Sequence, residues 1–360
     1  MKKIKILYNL GQLGIGGVET QLLELVKHIN KRRFEIIVCC FSNKTKLLKE
    51  FKKYCKVIIL KKILPLDITR VWRIRRVIKQ YAPDIIHNDI FTANLWGTLA
   101  GKLEKKPVII SYKSTLKYYP LHKRIIDFLL SKLADKIITI SHSNVNLLVN
   151  KARFNKNKIV IIHEGINTDF FKPKSKAENN KIKIIAIIGR LTEQKNHKLF
   201  LDTAKIVLEK HPEIKFLIVG DGKLRKELEN YTNKLGIEED VKFLGETKRI
   251  KEIYEKTDIL ASTSSWEGTP IVIIEAMAMN KPVLATSVGG VNEIIDNKIN
   301  GFLVEPENAE KLAKKLIYLI ENPKIARKAG EKAREKIIKN FNIKRKVKEM
   351  GELYQEFIKK

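Results

Sequence analysis

The stretch KIKILYNLGQLGIGGVETQLLELV, residues 3–26, passes from one periodicity to another. KIKILYN is a short, apolar, β-rich run. Gly11, Gly14, Gly16 and Gly17 then punctuate a turn, and VETQLLELVKHINK continues with apolar residues at helical spacing. Strand, glycine turn and helix together open a βαβ unit. The same alternation recurs. FEIIVCCF, KVIIL, DIIH, PVIISY and KIITIS are strand-like, with helical segments such as RVWRIRRVIKQYA between them. After KIVIIHEGI comes NTDFFKPKSKAENNK, which is polar, carries a proline and has no periodicity. A second series follows in KIKIIAIIG, KFLIVG, VKFLG, DILAS, KPVLATS and GFLVE, and the chain is helical in pattern from about residue 307. Continuous apolar strands separated by helices predict parallel sheets covered on both faces. The expected organisation is an N-terminal Rossmann-like domain over residues 1–170 and a linker over 171–181. A second Rossmann-like domain follows over 182–340, and a C-terminal helix over 341–360 packs back toward the first.

The chain has 360 residues, too many for one core, and its hydrophobic content of 44% is that of a globular protein. Lys and Arg number 71 against 40 Asp and Glu, a net charge of +31. That balance points to nucleic acid, an anionic membrane surface or anionic small molecules, with a Lys-rich genome composition as a partial cause. Cys39, Cys40 and Cys55 have neither metal nor redox spacing and read as reduced thiols. The N-terminus is basic, but polar residues and glycines interrupt any apolar stretch, so it reads as a strand and not as a signal peptide. No run reaches the ~18 apolar residues of a membrane span. A cytoplasmic protein is expected.

Three motifs carry chemistry. GQLGIGGVE has G-x-G-G spacing, with Glu19 where a dinucleotide fingerprint needs its last glycine, so NAD is disfavoured and phosphate contact at a helix N-terminus remains. IIAIIGRLTEQKN puts Arg190 and Lys195 just after a strand, at the edge where open α/β sheets bind ligands, and an Arg fork beside a Lys charge suits a diphosphate. SWEGTPIVIIEAMAMN, residues 265–280, sets Glu267 before a Gly-Thr-Pro turn and Glu275 inside a helix. Carboxylates at these two places can each accept hydrogen bonds from vicinal sugar hydroxyls. The alternative for such a pair is helix capping and solvation.

With GRLTEQKN, FLIVGDGKLRKELE, VKFLGE and STSSWEGTPIVIIEAMAMNKPVLATSVGGVNEII on the page, and GIGGVET and PDIIHND in the first half, the chain resembles a retaining glycosyltransferase of family 4. The resemblance runs from residue 3 to about 340. It implies the GT-B fold, two Rossmann-like domains with parallel sheets facing a central cleft, and donor binding mostly by the second domain. Glu275 matches the glutamate that holds the nucleotide ribose, and Glu267 the one that meets the transferred sugar. Arg190 and Lys195 match the diphosphate pair and, with Glu267, the catalytic set. The amides of Gly16, Gly17, Gly268, Thr269 and Ile271 match contacts to sugar and diphosphate. Asn280 stands where the family has glycine, and Asn167 where it has aspartate. The family's histidine after PVIISY is replaced by Tyr112 or Lys113, which leaves His87 and Lys113 as acceptor-side candidates.

The implied reaction moves a sugar from a UDP- or GDP-sugar to a glycan or lipid-linked acceptor, in assembly of cell-surface polysaccharide, lipopolysaccharide or glycolipid. No D-x-D is present, and Glu238-Glu239-Asp240 alone comes close, so no metal and no cofactor are expected. Retention is expected by a departing phosphate oxygen taking the acceptor's proton on the same face, since no carboxylate is clearly placed as a nucleophile. Residues 61–79 and 114–136 are basic and aromatic, which suggests docking on anionic lipid at the inner face of the cell membrane. Two rival readings are a GT-B nucleotide-sugar 2-epimerase and a non-catalytic basic module for membrane or nucleic acid. Against nucleic acid, no binding motif is present, and Trp72, Ile74 and Val77 fit a helix packed on a sheet.

Overall fold

The computed structural model describes residues 2–43, 45–61, 63, 67–112, 120–174 and 182–358. The chain divides into two compact units, residues 1–165 with 343–360 and residues 166–342. In the first, seven parallel strands run β1 (Ile4–Leu10), β2 (Phe34–Cys40), β3 (Lys56–Ile59), β4 (Ile85–Asp89), β5 (Val108–Tyr112), β6 (Lys136–Thr139) and β7 (Ile159–Ile161), in the order β3-β2-β1-β4-β5-β6-β7. In the second, β8 (Ile184–Ile188), β9 (Lys215–Val219), β10 (Val241–Gly245), β11 (Ile259–Ser262), β12 (Val283–Thr286) and β13 (Phe302–Val304) lie in the order β10-β9-β8-β11-β12-β13. Both orders reverse beside the first strand of their sheet, the arrangement of doubly wound folds.

The strands are mostly apolar because both faces of each sheet are covered. In β1, Ile6, Tyr8 and Leu10 join one core, while Leu7 joins the core on the opposite face. The same alternation separates Ile36, Val38 and Cys40 of β2 from Ile37 and Cys39, and Ile259 and Ala261 of β11 from Leu260. Period-two geometry sends neighbouring side chains to opposite faces. Strand residues exposed to solvent are few, and Glu35, Lys56, Lys215 and Lys242, at or next to the first residue of their strands, are among them.

The units part at 165/166, ahead of the linker expected at 171–181, of which residues 175–181 lie outside the described residues. The reason is packing. Ile166 and Phe171 are buried with Ile337 and Phe341 in the second unit's core, the Ile166 amide donates to the Phe341 carbonyl (2.9 Å), and Arg334 Nη1 donates to the Phe171 carbonyl (2.9 Å). The last helix, Ile343–Glu356, belongs to the first unit, where Met350, Leu353 and Tyr354 join its core. Lys346 of this helix donates to Gln21 Oε1 at 2.7 Å and forms a buried ion pair with Glu164.

Two residues behave differently from their sequence context. Asn280 has φ +59, a left-handed position that suits glycine and that asparagine tolerates better than other side chains, so its departure from the family pattern is sterically mild. Trp72 is 60% exposed, with the Arg75 guanidinium 4.5 Å above its ring, whereas Ile74 and Val77 of the same helix are buried. The expected sheet-packing face of that helix therefore includes Ile74 and Val77 but not Trp72.

Candidate functional site

The loops that leave β8 and β11 meet at the second unit's switch point, where an open α/β sheet leaves a crevice. They are stapled together. The Ser265 amide donates to the Gln194 carbonyl (2.9 Å), and Thr263 Oγ1 donates to the carbonyls of Lys195 (3.0 Å) and Asn196 (2.9 Å). Thr286 Oγ1, from the end of β12, donates to the Ser264 carbonyl at 2.6 Å. Buried carbonyls on irregular backbone need such donors, so these threonines hold the loop shape.

Inside this frame Lys195 Nζ lies 2.5 Å from Glu267 Oε1. Ser264 Oγ donates to the same oxygen at 2.7 Å, and Gln194 Nε2 reaches Oε2 at 3.4 Å. Glu267 is buried, and three donors converge on its carboxylate. Two glycines allow the approach. A Cβ on Gly189 would sit 3.0 Å from Lys195 Cε, and one on Gly289 would meet the Glu267 carbonyl at 2.0 Å, at a φ of +49 that disfavours other residues. Arg190, by contrast, is exposed, and its guanidinium has no partner among the described residues. The structure thus joins Lys195 to Glu267 and leaves Arg190 apart from that pair.

Gly268, Thr269 and Pro270 lead into the helix Ile271–Ala278. Pro270 is the cap, and its carbonyl accepts from the Ile273 amide (3.1 Å). The amides of Ile271 and Val272 have no backbone partner among the described residues, as the first turn of a helix dictates, and they offer positive dipole to an anion. Glu275 lies further along, partly exposed. Tyr254 Oη donates to its Oε2 at 2.8 Å, and burial pushes its carboxyl up to about 7 while the phenol opposes that rise. The two glutamates therefore occupy different electrostatic settings. Glu267 faces a cation, and Glu275 faces a neutral donor.

In the first unit, Gly16 caps the helix Gly17–His28 with no side-chain cap. Glu19 folds back here, accepting from Gln12 Nε2 at 2.9 Å, and a Cβ on Gly16 would meet Glu19 Oε2 at 2.5 Å. A carboxylate already stands at this helix N-terminus.

His87 does not have the accessibility that an acceptor-side role requires. It lies in β4 with no exposed surface, Nδ1 2.8 Å from Tyr354 Oη and Nε2 2.8 Å from Ser111 Oγ. A ring buried in a sheet, with both nitrogens engaged, cannot reach an acceptor. Lys113 lies outside the described residues. Sequence reasoning missed Ser264, Gln194, Gly289 and Tyr254. Gly289 had a signal in the VGG that follows a strand, whereas Tyr254 lies in a short, mostly charged helix, IKEIYEK, and gave none.

Two family models cover most of the chain: "Glycosyltransferase Family 4" matches residues 15–170, and "Glycosyl transferases group 1" matches residues 168–336. The UDP-Gal:alpha-D-GlcNAc-diphosphoundecaprenol alpha-1,3-galactosyltransferase of Escherichia coli is 25% identical over 311 residues, covering 81% of this chain and 80% of the relative. A Campylobacter jejuni alpha-1,4-N-acetyl-D-galactosaminyltransferase, named for a diNAcBac-PP-undecaprenol-linked acceptor, is 27% identical and covers 99% of this chain and 98% of its own. The crystal structure of a glycosyltransferase from Rickettsia africae ESF-5 superposes with a TM-score of 0.86 at 27% identity, covering 100% of both chains.

Proposed function

We propose, on the premise that this chain belongs to the family 4 glycosyltransferases of the group 1 type and has the GT-B fold, that it transfers a sugar from a nucleoside diphosphate sugar, UDP- or GDP-linked, to a lipid-linked or polysaccharide acceptor with retention of configuration. The observation that carries this is the Lys195–Glu267 pair at the switch point, with the open amides of Ile271 and Val272 beyond it in sequence.

Cleaving the anomeric bond puts positive charge on the sugar and negative charge on the diphosphate. Lys195, the unengaged fork of Arg190 and the helix amides meet the second, and preorganised donors of this kind contribute on the order of 3 kcal/mol each to a transition state. Glu267 holds hydroxyls of the transferred sugar, and Glu275 those of the ribose. The departing phosphate oxygen takes the acceptor's proton on the same face. UDP-Gal, the donor named for the Escherichia coli relative, and the α linkages named for both relatives support this reading. Epimerisation is disfavoured because the relatives that match are transferases. The diphosphate's charge is met by side chains and amides, with no D-x-D in the sequence, so no metal is required.

The test is a donor screen with an undecaprenyl-diphosphate glycan acceptor in EDTA. Expected are nucleoside diphosphate release only when acceptor is present, and an α-linked product. Sugar interconversion without acceptor, or loss of turnover in EDTA with rescue by Mg²⁺ or Mn²⁺, overturns the corresponding part.

For a lipid-linked acceptor we further propose docking on anionic membrane. No helix among the described residues is long and apolar enough to cross a membrane. The helix Leu121–Leu133, however, exposes Leu121 (69%), Ile125 (53%) and Leu129 (53%) at four-residue spacing, with Lys123 and Arg124 between the first two, Lys132 beyond the last, and its one acid, Asp127, buried. Trp72 adds an aromatic on the helix Thr69–Tyr81. Fewer basic side chains are free than composition suggests, because Arg73 pairs with Asp67 and Arg75 with Glu104. Lys62, Tyr118 and Tyr119 lie outside the described residues. At about 1 kcal/mol for each basic residue near the surface, binding to phosphatidylglycerol vesicles will exceed binding to neutral vesicles and weaken with salt. Equal, negligible sedimentation with both at low salt refutes it.

A further inference from the structure

Glu275 has a task that its surroundings make difficult. It accepts hydrogen bonds from two vicinal hydroxyls most strongly when ionised, yet it sits on a helix packed against β11, β12 and the helix Pro323–Asn340, among Ile273, Ile274 and Met277. We propose that Tyr254 is a positioning residue for donor binding: its buried phenol, donating across 2.8 Å, holds the Glu275 carboxyl in its anionic form and turns the other oxygen toward the ribose. This inference rests on the reading of Glu275 as the ribose-binding carboxylate.

The geometry leaves the carboxylate little other support. Tyr254, on the helix Ile250–Lys256, has no exposed surface, and its ring packs against Phe171 with centroids 6.1 Å apart. Its single hydroxyl proton points to Glu275 Oε2, the shorter contact, with the Val272 carbonyl 3.1 Å away as a second acceptor for the same proton, which places the phenol beside the first turn of the glutamate's own helix. Glu275 Oε1 makes no hydrogen bond among the described residues. Two cations of the neighbouring elements are engaged elsewhere, and on Tyr254's own helix Glu255 pairs with Lys174. Arg334 donates to the carbonyls of Phe171 and Ala278, the latter at the far end of the helix, and Lys281 donates to the Glu255 carbonyl. β11 and β12 carry no ionisable residue. A neutral donor is therefore what steadies the carboxylate, and a neutral donor suits a ribose site because it adds no charge to compete for the diphosphate.

The sign follows. Burial raises the Glu275 carboxyl to about 7 even with the phenol's hydrogen bond drawing it down. Removing the phenol raises it further, so ionisation, and with it ribose binding, moves to higher pH. The experiment is calorimetric titration of the full-length protein with UDP and with GDP between about pH 6 and 9, with Glu275→Gln as the reference that cancels the nucleotide's own titration. In the wild type, affinity relative to Glu275→Gln rises through neutrality. In Tyr254→Phe that rise shifts up by about 1–2 pH units, a loss near tenfold at pH 7 that recovers at high pH. On the Glu275→Gln background the Tyr254→Phe effect disappears. Recovery at high pH is itself the evidence that the variant folds, since misfolded protein does not regain affinity. A Tyr254→Phe profile that coincides with wild type, or that is weakened equally at every pH, overturns the inference while leaving Glu275 in place. Unchanged affinity in Glu275→Gln across the range overturns the ribose reading and this inference with it.

Discussion

Glu267→Gln lowers kcat by about 10²–10³ and changes donor KM by less than about fivefold. The substitution keeps the shape of the side chain and an oxygen able to accept from Ser264 Oγ, now 2.7 Å away. It removes the charge that faces Lys195 at 2.5 Å. Two consequences combine. The sugar hydroxyls lose a charge-assisted acceptor, about 1.5–3 kcal/mol, and Lys195 loses the anion that fixes its direction toward the diphosphate. Both interactions strengthen as charge separates, so the loss falls on the chemical step. Steady-state kinetics with saturating acceptor measures it, alongside circular dichroism to show that the fold is intact. Wild-type kcat in Glu267→Gln removes the residue from the reaction.

Lys346→Met destabilises the first unit by about 3–5 kcal/mol. Lys346 and Glu164 are 5% and 4% exposed, and Gln21 Oε1 accepts from the same ammonium at 2.7 Å. Removing the lysine takes the countercharge from a buried carboxylate in a core of Leu22, Leu25, Ile138 and Ile162, while Gln21 Oε1 still accepts from the Gly165 amide at 3.3 Å. A double change, Lys346→Met with Glu164→Gln, restores most of the loss, because the uncompensated buried charge is the main cost. At about 2–4 °C per kcal/mol for a unit of this size, the midpoint falls by roughly 6–20 °C, read from the first unit's transition since a two-unit chain need not unfold in one step. A fall corresponding to less than about 1 kcal/mol refutes the assignment. The residue lies outside the candidate site, so kinetics at low temperature stay within about twofold of wild type.

These two experiments probe residues that differ in how readable they were. Glu267 and Lys195 stood out because each follows an apolar strand at the sheet edge where ligands bind, beside Arg190 or a Gly-Thr-Pro turn, and the family motifs weighed against capping and solvation. Lys346 and Glu164 did not stand out. In a chain with 71 basic residues a lysine on a late helix looks like solvated surface, and no local pattern reveals that it meets a glutamate 182 residues away. His87 misled for the same reason in reverse. A histidine at the end of a buried strand reads as chemistry, and only the packing of Tyr354 and Ser111 against its two nitrogens reveals a structural role.

What the sequence determined by itself is what short-range physics controls. Apolar runs of strand length, helical spacing between them and glycines at the turns specify two doubly wound sheets, and with them the edges where ligands bind. The turn before Ile271 and the family motifs selected Glu267, Glu275, Arg190 and Lys195 from a chain rich in charge. Tertiary structure alone decided which of those charges face each other. It paired Lys195 with Glu267, left Arg190 unengaged, set Glu275 against the phenol of Tyr254, and exposed Trp72, Ile125 and Leu129, which helical periodicity alone does not distinguish from core. The reason is physical. Propensity and periodicity act over a few residues, whereas desolvation and charge pairing depend on atoms within a few ångströms in space, brought together by segments that lie far apart along the chain.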